Sequence, residues 1–467
     1  MLHLAYVSLG DHRGHRRLWL EGRHLEDAGF TPATRYVAVL DAAAGRLRLV
    51  RSHEGDRMVS QRQRDGEGAR PIIDIANAFL DRVLGDRRRA RVAFKDGEIE
   101  IIVHHLDRRA EIRSAKLSRL HEGGEVRTGG ICVGVGVLDA AVHDGLKNAG
   151  LSVRSAFAVE MDPRYQGAML ANNRRMDGTC SVLGNLDEVE PEILPECDVL
   201  LAGIPCTAAS LAGRAKKGAG TPERDEDVGH LIVAFLDLVK AAMPVAVLLE
   251  NVVPYKHTAS YHIAKTMLGR LGYRLHEAEL DGVAFGAMER RKRLCLLAVD
   301  PALPEDFMDR VSYEGPTTKT MAEVLEDVPE DDERWKDISY LMAKETRDLA
   351  DGHNFRRQLV SSEDTSVGVV GRQYWKWRST EPMVPHPHKP NFARLLSPRE
   401  HAAVKGADAG LVANLPWTTA HEVLGQGVIP AAFRAIGAAL GGAMMSARTD
   451  RPPCADLPLF ACAAGAV

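Results

Sequence analysis

At 467 residues, the chain is long for one domain and leaves room for two or three cores. Hydrophobic residues make up 45% and charged residues 27%, ordinary for a water-soluble globular protein, while an aromatic content of 5% argues against aromatic-rich β cores. The formal net charge of −4 is unevenly spread: residues 1–127 hold 24 Lys and Arg against 19 Asp and Glu (+5), and the remainder 36 against 45 (−9), so the total is compatible with a basic cleft for nucleic acid.

No apolar run reaches membrane-spanning length; the longest candidate, residues 231–253, is broken by Asp237, Lys240 and Pro244. No charged-then-apolar leader opens the chain. A cytoplasmic protein with no membrane partner is expected. The seven cysteines are odd in number, scattered, and contain no Cys-x-x-Cys pair, which suits a reducing compartment and predicts no metal site.

Residues 1–125 read as a β-rich accessory domain. Arg17 to Phe30 leads into alternating stretches at Tyr36 to Leu40 and Arg46 to Val50, two strands around the turn Ala44-Gly45. The second half repeats the theme: Pro71 to Ile75, a short helix near 76–84, Ala90 to Phe94, the turn Asp96-Gly97, and Glu98 to Val103. This pattern resembles the small SymE- and AbrB-like swapped-hairpin domains. That resemblance implies nucleic-acid binding or a homodimer through this domain; a generic β-rich accessory domain is the alternative. The run Arg87 to Arg91 is a candidate phosphate patch or a solvated charge run.

From 126 onward strands and helices alternate. Gly130–Val135, Ala156–Glu160, Asp198–Ala202, Val245–Glu250 and Leu294–Val299 read as buried strands, with amphipathic stretches at Asp227–Ala242 and Tyr261–Leu271 between them. The pattern predicts an α/β fold with a doubly wound, mostly parallel sheet. Residues 300 to 390 break it with a polar, Pro- and Trp-bearing segment. Regular patterning returns from Arg394 to Gly441. The expected division is 126–300 catalytic, 301–390 target recognition, 391–445 a return segment and 446–467 a tail.

Two strand ends carry the chemistry. Pro205-Cys206-Thr207 follows the apolar run ending at Ala202 and Gly203, and Glu250-Asn251-Val252 follows a second run, with Glu250 44 positions after Cys206. In an open parallel sheet ligands bind at the strands' carboxyl ends. A thiolate and a carboxyl group there suit addition to an electron-poor ring. In this order and spacing the two motifs resemble those of the cytosine-C5 methyltransferases of DNA, and standard motif order extends the likeness over roughly 126–445.

The resemblance implies S-adenosylmethionine as cofactor and the S-adenosylmethionine-dependent methyltransferase fold. Gly134 and Gly136, in Gly129 to Gly136, match the family's glycine turn, although its usual Asp-Leu-Phe appears as Gly130-Ile131-Cys132 and its second paired glycine as Val137. Glu160, followed by Met161, takes the place of the acid that holds the ribose hydroxyls. Asn185 stands where an acid usually contacts the adenine amino group. Pro205, Gln426 (for the usual Asn in Gly-Asn-x-Val-x-Pro) and Val428 complete the implied cofactor set. Cys206 is implied as nucleophile toward cytosine C6, and Glu250 as the group that bonds N3 and the exocyclic amine. Arg291 and Arg293 match the arginines of Gln-x-Arg-x-Arg, with Glu289 for the glutamine, and are implied to hold the phosphate and the cytosine carbonyl.

Residues 208–229, with Ser210, Arg214, Lys216 and Lys217, resemble the mobile loop that closes over a flipped-out base. Arg372 and Gln373 are candidate base readers in residues 301–390. Tyr374, Trp375 and Trp377 are candidates for DNA contact or core packing. The implied partners are double-stranded DNA and a cognate restriction enzyme, placing the protein at the bacterial nucleoid. Three alternatives stand beside this reading: a tRNA cytosine-C5 methyltransferase, a DNA-binding regulator with a degenerate methyltransferase domain, and an enzyme of the same chemistry that transfers a group other than methyl.

Overall fold

The computed structural model describes residues 3–41, 45–63, 69–85, 87–205, 229–353 and 355–447. Two compact units divide between Ala115 and Lys116, within the helix His105–His121 and ten residues before the expected boundary at 125.

The first unit contains β1 His3–Ser8, β2 Gly10–His12, β3 His15–Glu21, β4 Arg35–Asp41, β5 Arg46–Arg51, β6 Arg57–Met58, β7 Ser60–Arg62, β8 Arg70–Ala76, β9 Arg89–Lys95 and β10 Glu98–Val103. They form two sheets, ordered β1-β9-β10-β5-β4-β6 and β2-β3-β8-β7. Both orders read the same from either end once β1, β2, β3, β4 and β5 are matched with β6, β7, β8, β9 and β10. The registers agree. Leu47 faces Ile101 while Leu49 faces Ile99. Leu18 faces Ile75 while Leu20 faces Ile73. Each half also has a short helix between its matched strands, Arg23–Asp27 and Ala78–Leu84. The unit is therefore a sequence-diverged duplication with approximate two-fold symmetry. Alternation puts Leu18, Leu20, Leu47 and Leu49 with Ile73, Ile75, Ile99 and Ile101 into one core, which pins the register because a one-residue slip would expose them all.

The second unit is built on β11 Val126–Ile131, β12 Val153–Glu160, β13 Cys180–Leu183, β14 Val199–Ala202, β15 Ala246–Asn251, β16 Arg274–Asp281 and β17 Lys292–Val299. The sheet order is β13-β12-β11-β14-β15-β17-β16. The first five strands in that order run parallel, and β17 is antiparallel to both β15 and β16. The chain winds outward one way from β11 and the other way from β14, so the crevice for a ligand opens at the carboxyl ends of those two strands. The expected strand Gly130–Val135 is corrected by this placement. It ends at Ile131, because Cys132 takes φ 53° and Gly134 φ 61°, left-handed values that turn the backbone out of the sheet.

Residues 301–390 carry most of a small sheet: β18 Lys336–Asp337, β19 Gln358–Leu359, β20 Pro382–Pro385 and β21 Phe392–Arg394, ordered β18-β21-β20-β19. Its core includes Met321, Ile338, Val370, Tyr374 and Leu396. Strand β21 lies past the expected boundary at 390, since it pairs with β18 and β20. Tyr374 is a core residue whose hydroxyl bonds Pro382 O and the N–H of Leu396, and Trp377 packs against the same core. No single helix among the described residues is long and apolar enough to cross a membrane.

Candidate active site

At the carboxyl end of β11, Gly134 and Gly136 of the predicted cofactor set lie in one turn, and Glu160 bonds that turn. The turn after β11 is built by backbone geometry. At Gly136 (φ 79°) a Cβ would lie 2.5 Å from Asn173 Nδ2, and that amide donates to Val135 O and Gly136 O, both at 3.2 Å. Asn173 is buried and was not singled out by motif. A Cβ on Gly134 would meet open space, so the backbone there is accessible to a ligand. Its N–H donates to Glu160 Oε2 at 2.6 Å, and Asp162 N–H to Glu160 Oε1 at 2.9 Å. Each carboxylate oxygen keeps a further lone pair for a hydroxyl donor. A side chain on Gly130 would overlap the carboxyl of Asp139. The helix thus fills the space left where the family's usual aspartate is missing, and burial pushes the Asp139 carboxyl up to about 7.

Burial, with Glu160 nearby, also pushes the Cys132 thiol up to about 12, marking it as an unreactive thiol. Asn185 and Met161 are exposed, Met161 at 63%. Val428 is buried in the core. Gln426 Nε2 donates to the Tyr165 hydroxyl (3.3 Å), which donates in turn to Glu422 Oε2 (3.2 Å) and accepts from Arg372 Nη2 (3.4 Å). A predicted cofactor residue and a predicted base reader therefore share one partner, Tyr165. Gln373 is half-buried.

The second strand end holds the acid. Glu250 is the penultimate residue of β15, buried, with Oε1 2.8 Å from Arg293 Nε. Burial raises its pKa, against the pull of Arg293 and Arg291. Asn251 Nδ2 donates to Ile204 O at 3.1 Å, pinning the turn after β14 beside the acid. A Cβ on Gly203 would lie 3.5 Å from Cys132 O and 4.0 Å from Glu250 Oε2, which places this turn between the glycine turn after β11 and the acid. Half-buried Pro205 is the last described residue of the turn. Cys206, Ser210, Arg214, Lys216 and Lys217 lie outside the described residues.

Arg291 differs from the expectation of a phosphate contact. It is 3% exposed, and its two terminal nitrogens bond Glu289 Oε1 (3.1 Å), Val370 O (3.4 Å) and Gly425 O (2.6 Å). It braces the junction between β17, the small sheet and the helix Trp417–Gln426, leaving Arg293 as the arginine on the acid. Gly425 permits that junction, since a Cβ there would overlap the backbone of Gly371. Among the described residues no group of three or more His, Cys, Asp or Glu could hold a metal ion.

A parallel-rich sheet, a glycine turn with an acid one strand away, and a buried glutamate beside the Gly203–Pro205 turn define a class of cofactor-dependent transferases. The family model for C-5 cytosine-specific DNA methylases matches residues 131–442, and the chain belongs to that family, which depends on S-adenosylmethionine. It is 26% identical over 265 residues to the type II methyltransferase M1.ScrFI of Lactococcus lactis subsp. cremoris, covering 54% of this chain but 64% of that relative. It is 25% identical over 315 residues to the type II methyltransferase M.NlaX of Neisseria lactamica, covering 66% and 94%. The solved Entamoeba histolytica methyltransferase EhMeth superposes with a TM-score of 0.53 at 15% identity over 67% of this chain and 96% of that one, a likeness of fold.

Proposed function

We propose that this protein methylates C5 of cytosine in double-stranded DNA, using S-adenosylmethionine and a covalent adduct between Cys206 and cytosine C6. The observation that carries the reading is the buried Glu250–Arg293 pair, set beside the Gly203–Pro205 turn that leads into Cys206 and tied to it by Asn251. On the cofactor side, Gly134 lets the backbone approach a ligand, Gly136 lets the turn close on Asn173, and Glu160 offers acceptors for the ligand's hydroxyl groups.

In this mechanism the Cys206 thiolate adds to C6, forming an S–C6 bond and pushing electron density onto C5 and N3. Glu250, its pKa raised by burial, holds a proton toward N3 and so stabilises that density. Arg293 fixes the carboxyl group and offers donors toward the cytosine carbonyl. The bound cofactor supplies an electrophilic methyl group. Once C5 carries it, loss of the C5 proton to a base returns the electron pair to the ring, the S–C6 bond breaks, and the thiolate is restored.

Residues 301–390 serve as the recognition segment, with Arg372 and Gln373 toward base edges, and Ser210, Arg214, Lys216 and Lys217 on the closing loop. Met161, Asn185, Pro205, Gln426 and Val428 complete the cofactor side. Residues 1–125 are an accessory domain. The relatives' description as type II methyltransferases makes a cognate restriction enzyme a candidate partner.

The test is nucleoside mass spectrometry on DNA and tRNA from a methylation-free host expressing wild type or Cys206→Ala. The expected result is 5-methylcytosine in DNA that disappears with the variant. The mark in tRNA alone would move the substrate to RNA, and no mark from soluble protein would favour a degenerate regulator.

A further inference from the structure

A buried charge is costly unless a partner and hydrogen bonds meet it. Glu289 and Lys405 are each 0% exposed and 116 positions apart, and Lys405 Nζ lies 2.5 Å from Glu289 Oε2. The other carboxylate oxygen takes Arg291 Nη1 and the N–H of Val370, both at 3.1 Å. Burial alone would raise Glu289, but Lys405 and Arg291 outweigh it and hold the carboxyl below its ordinary value.

Backbone bonds converge on the same place. The N–H groups of Met288 and Glu289 reach Val404 O at 3.0 and 2.9 Å. Arg290 N–H reaches Val367 O at 2.9 Å, and Val367 N–H reaches Met288 O at 2.8 Å. One carboxylate thus ties together the entrance to β17, the segment 367–371, and the helix Pro398–Lys405. Just beyond it in sequence lie Arg293, on Glu250, and Arg372, on Tyr165.

The family's motif carries a neutral glutamine at position 289. A neutral amide could accept from Arg291 through its oxygen and donate elsewhere without a cation. The carboxylate here takes two cations, Arg291 on one oxygen and Lys405 on the other; burial, with Arg291 nearby, pushes the Lys405 ammonium down to about 7, and Glu289 pulls against that shift. We propose that Glu289 and Lys405 are a matched pair of positioning residues that holds Arg291 and Val370 in one arrangement, so that the arm bearing Arg293 and the segment bearing Arg372 keep a fixed relation. The catalytic part of this inference rests on the methyltransferase reading above.

The experiment is a double-mutant cycle in the full chain with Glu289→Gln, Lys405→Met and both together. Each variant is read by its melting temperature, and by kcat and KM for DNA and for S-adenosylmethionine. Glu289→Gln leaves two buried cations, Lys405 and Arg291, with no carboxylate between them, and Lys405→Met leaves Glu289 Oε2 buried without its donor; each is expected to lower kcat by roughly tenfold or more through misplacement of Arg293, with KM for S-adenosylmethionine unchanged. The double variant removes one charge of each sign, keeps the net charge of the wild-type junction with the family's glutamine in place, and is expected to recover kcat to within about threefold of wild type. A merely structural pair would show coupling in melting temperature with kcat unmoved in the folded single variants, and that result overturns the positioning role. Additive losses in both readouts overturn the pairing itself. If wild type turns over neither DNA nor RNA, the enzymatic reading and the positioning role fall together, while the melting cycle still reads the pair.

Discussion

The N-terminal unit uses one pattern twice, whereas the catalytic unit uses each strand end once. In the first, matched positions carry matched chemistry: Leu47 with Ile99, Leu49 with Ile101, Leu25 with Leu80, all fully buried. In the second, neighbouring strands end in Ile131, Ala202 and Asn251, followed by turns or acids that share no repeat. Repetition suits a part whose task is to pair two faces. Divergence at strand ends suits a part that must place unlike groups around a ligand. The strand pairing that would otherwise bring two chains together through the swapped-hairpin resemblance is made here between the two halves of one chain.

The largest expected effect falls on the unrepeated side. Cys206→Ala should abolish turnover while leaving DNA binding and thermal unfolding intact. Loss of folding in that variant would make Cys206 a packing residue, and the contrast between the units would weaken. On the repeated side, Leu47→Ala and Ile99→Ala should each cost about 2–5 kcal/mol, as cavities in a closed core do. Because the positions are equivalent, both losses should fall within that range. Denaturant unfolding checks this, and one neutral substitution would mean that only one half bears the core.

That asymmetry also explains what could be read in advance. Chain order, strand alternation and the Pro-Cys and Glu-Asn-Val motifs were legible because each is local, a run of apolar residues ended by a turn residue. The bracing contacts of Arg291 are not legible because its three partners come from Glu289, Val370 and Gly425, and no local pattern announces a contact between residues 79 or 134 positions apart. Lys405 and Asn173 were missed for the same reason. The strand expected through Val135 ran past its end because apolar valines alternate with the glycines of the turn, and hydrophobicity alone does not register φ. Gly130 was legible as a departure, but the residue that fills its space, Asp139, was not.

A smaller effect is expected at the junction. Gly425→Ala should cost about 1–3 kcal/mol, because the new methyl group meets backbone at Gly371 rather than a side chain that could swing away. Thermal unfolding measures the loss, and a neutral outcome would show that the segment around Gly371 yields more readily than its bonds to Glu289 and Arg291 imply.

The smallest effect is a slope. The Asp139 carboxyl, 6% exposed, is pushed by burial from 3.8 up to about 7. The folded state therefore holds this proton more tightly than the unfolded chain. The group's contribution is fully present below pH 3.8 and is lost as pH rises through about 7. Asp139→Asn removes the titration while keeping the side chain's shape. Between those limits the stability of wild type relative to Asp139→Asn should fall by up to about 1.4 kcal/mol per pH unit, the limit for one proton. His401 and His421 titrate with the opposite sign, since burial lowers both and acid must charge them on unfolding. They are common to both proteins and cancel in the difference. Parallel stability curves for the two proteins would mean that Asp139 is ionised in the fold, with the space beside Gly130 holding a charge as the family's aspartate would.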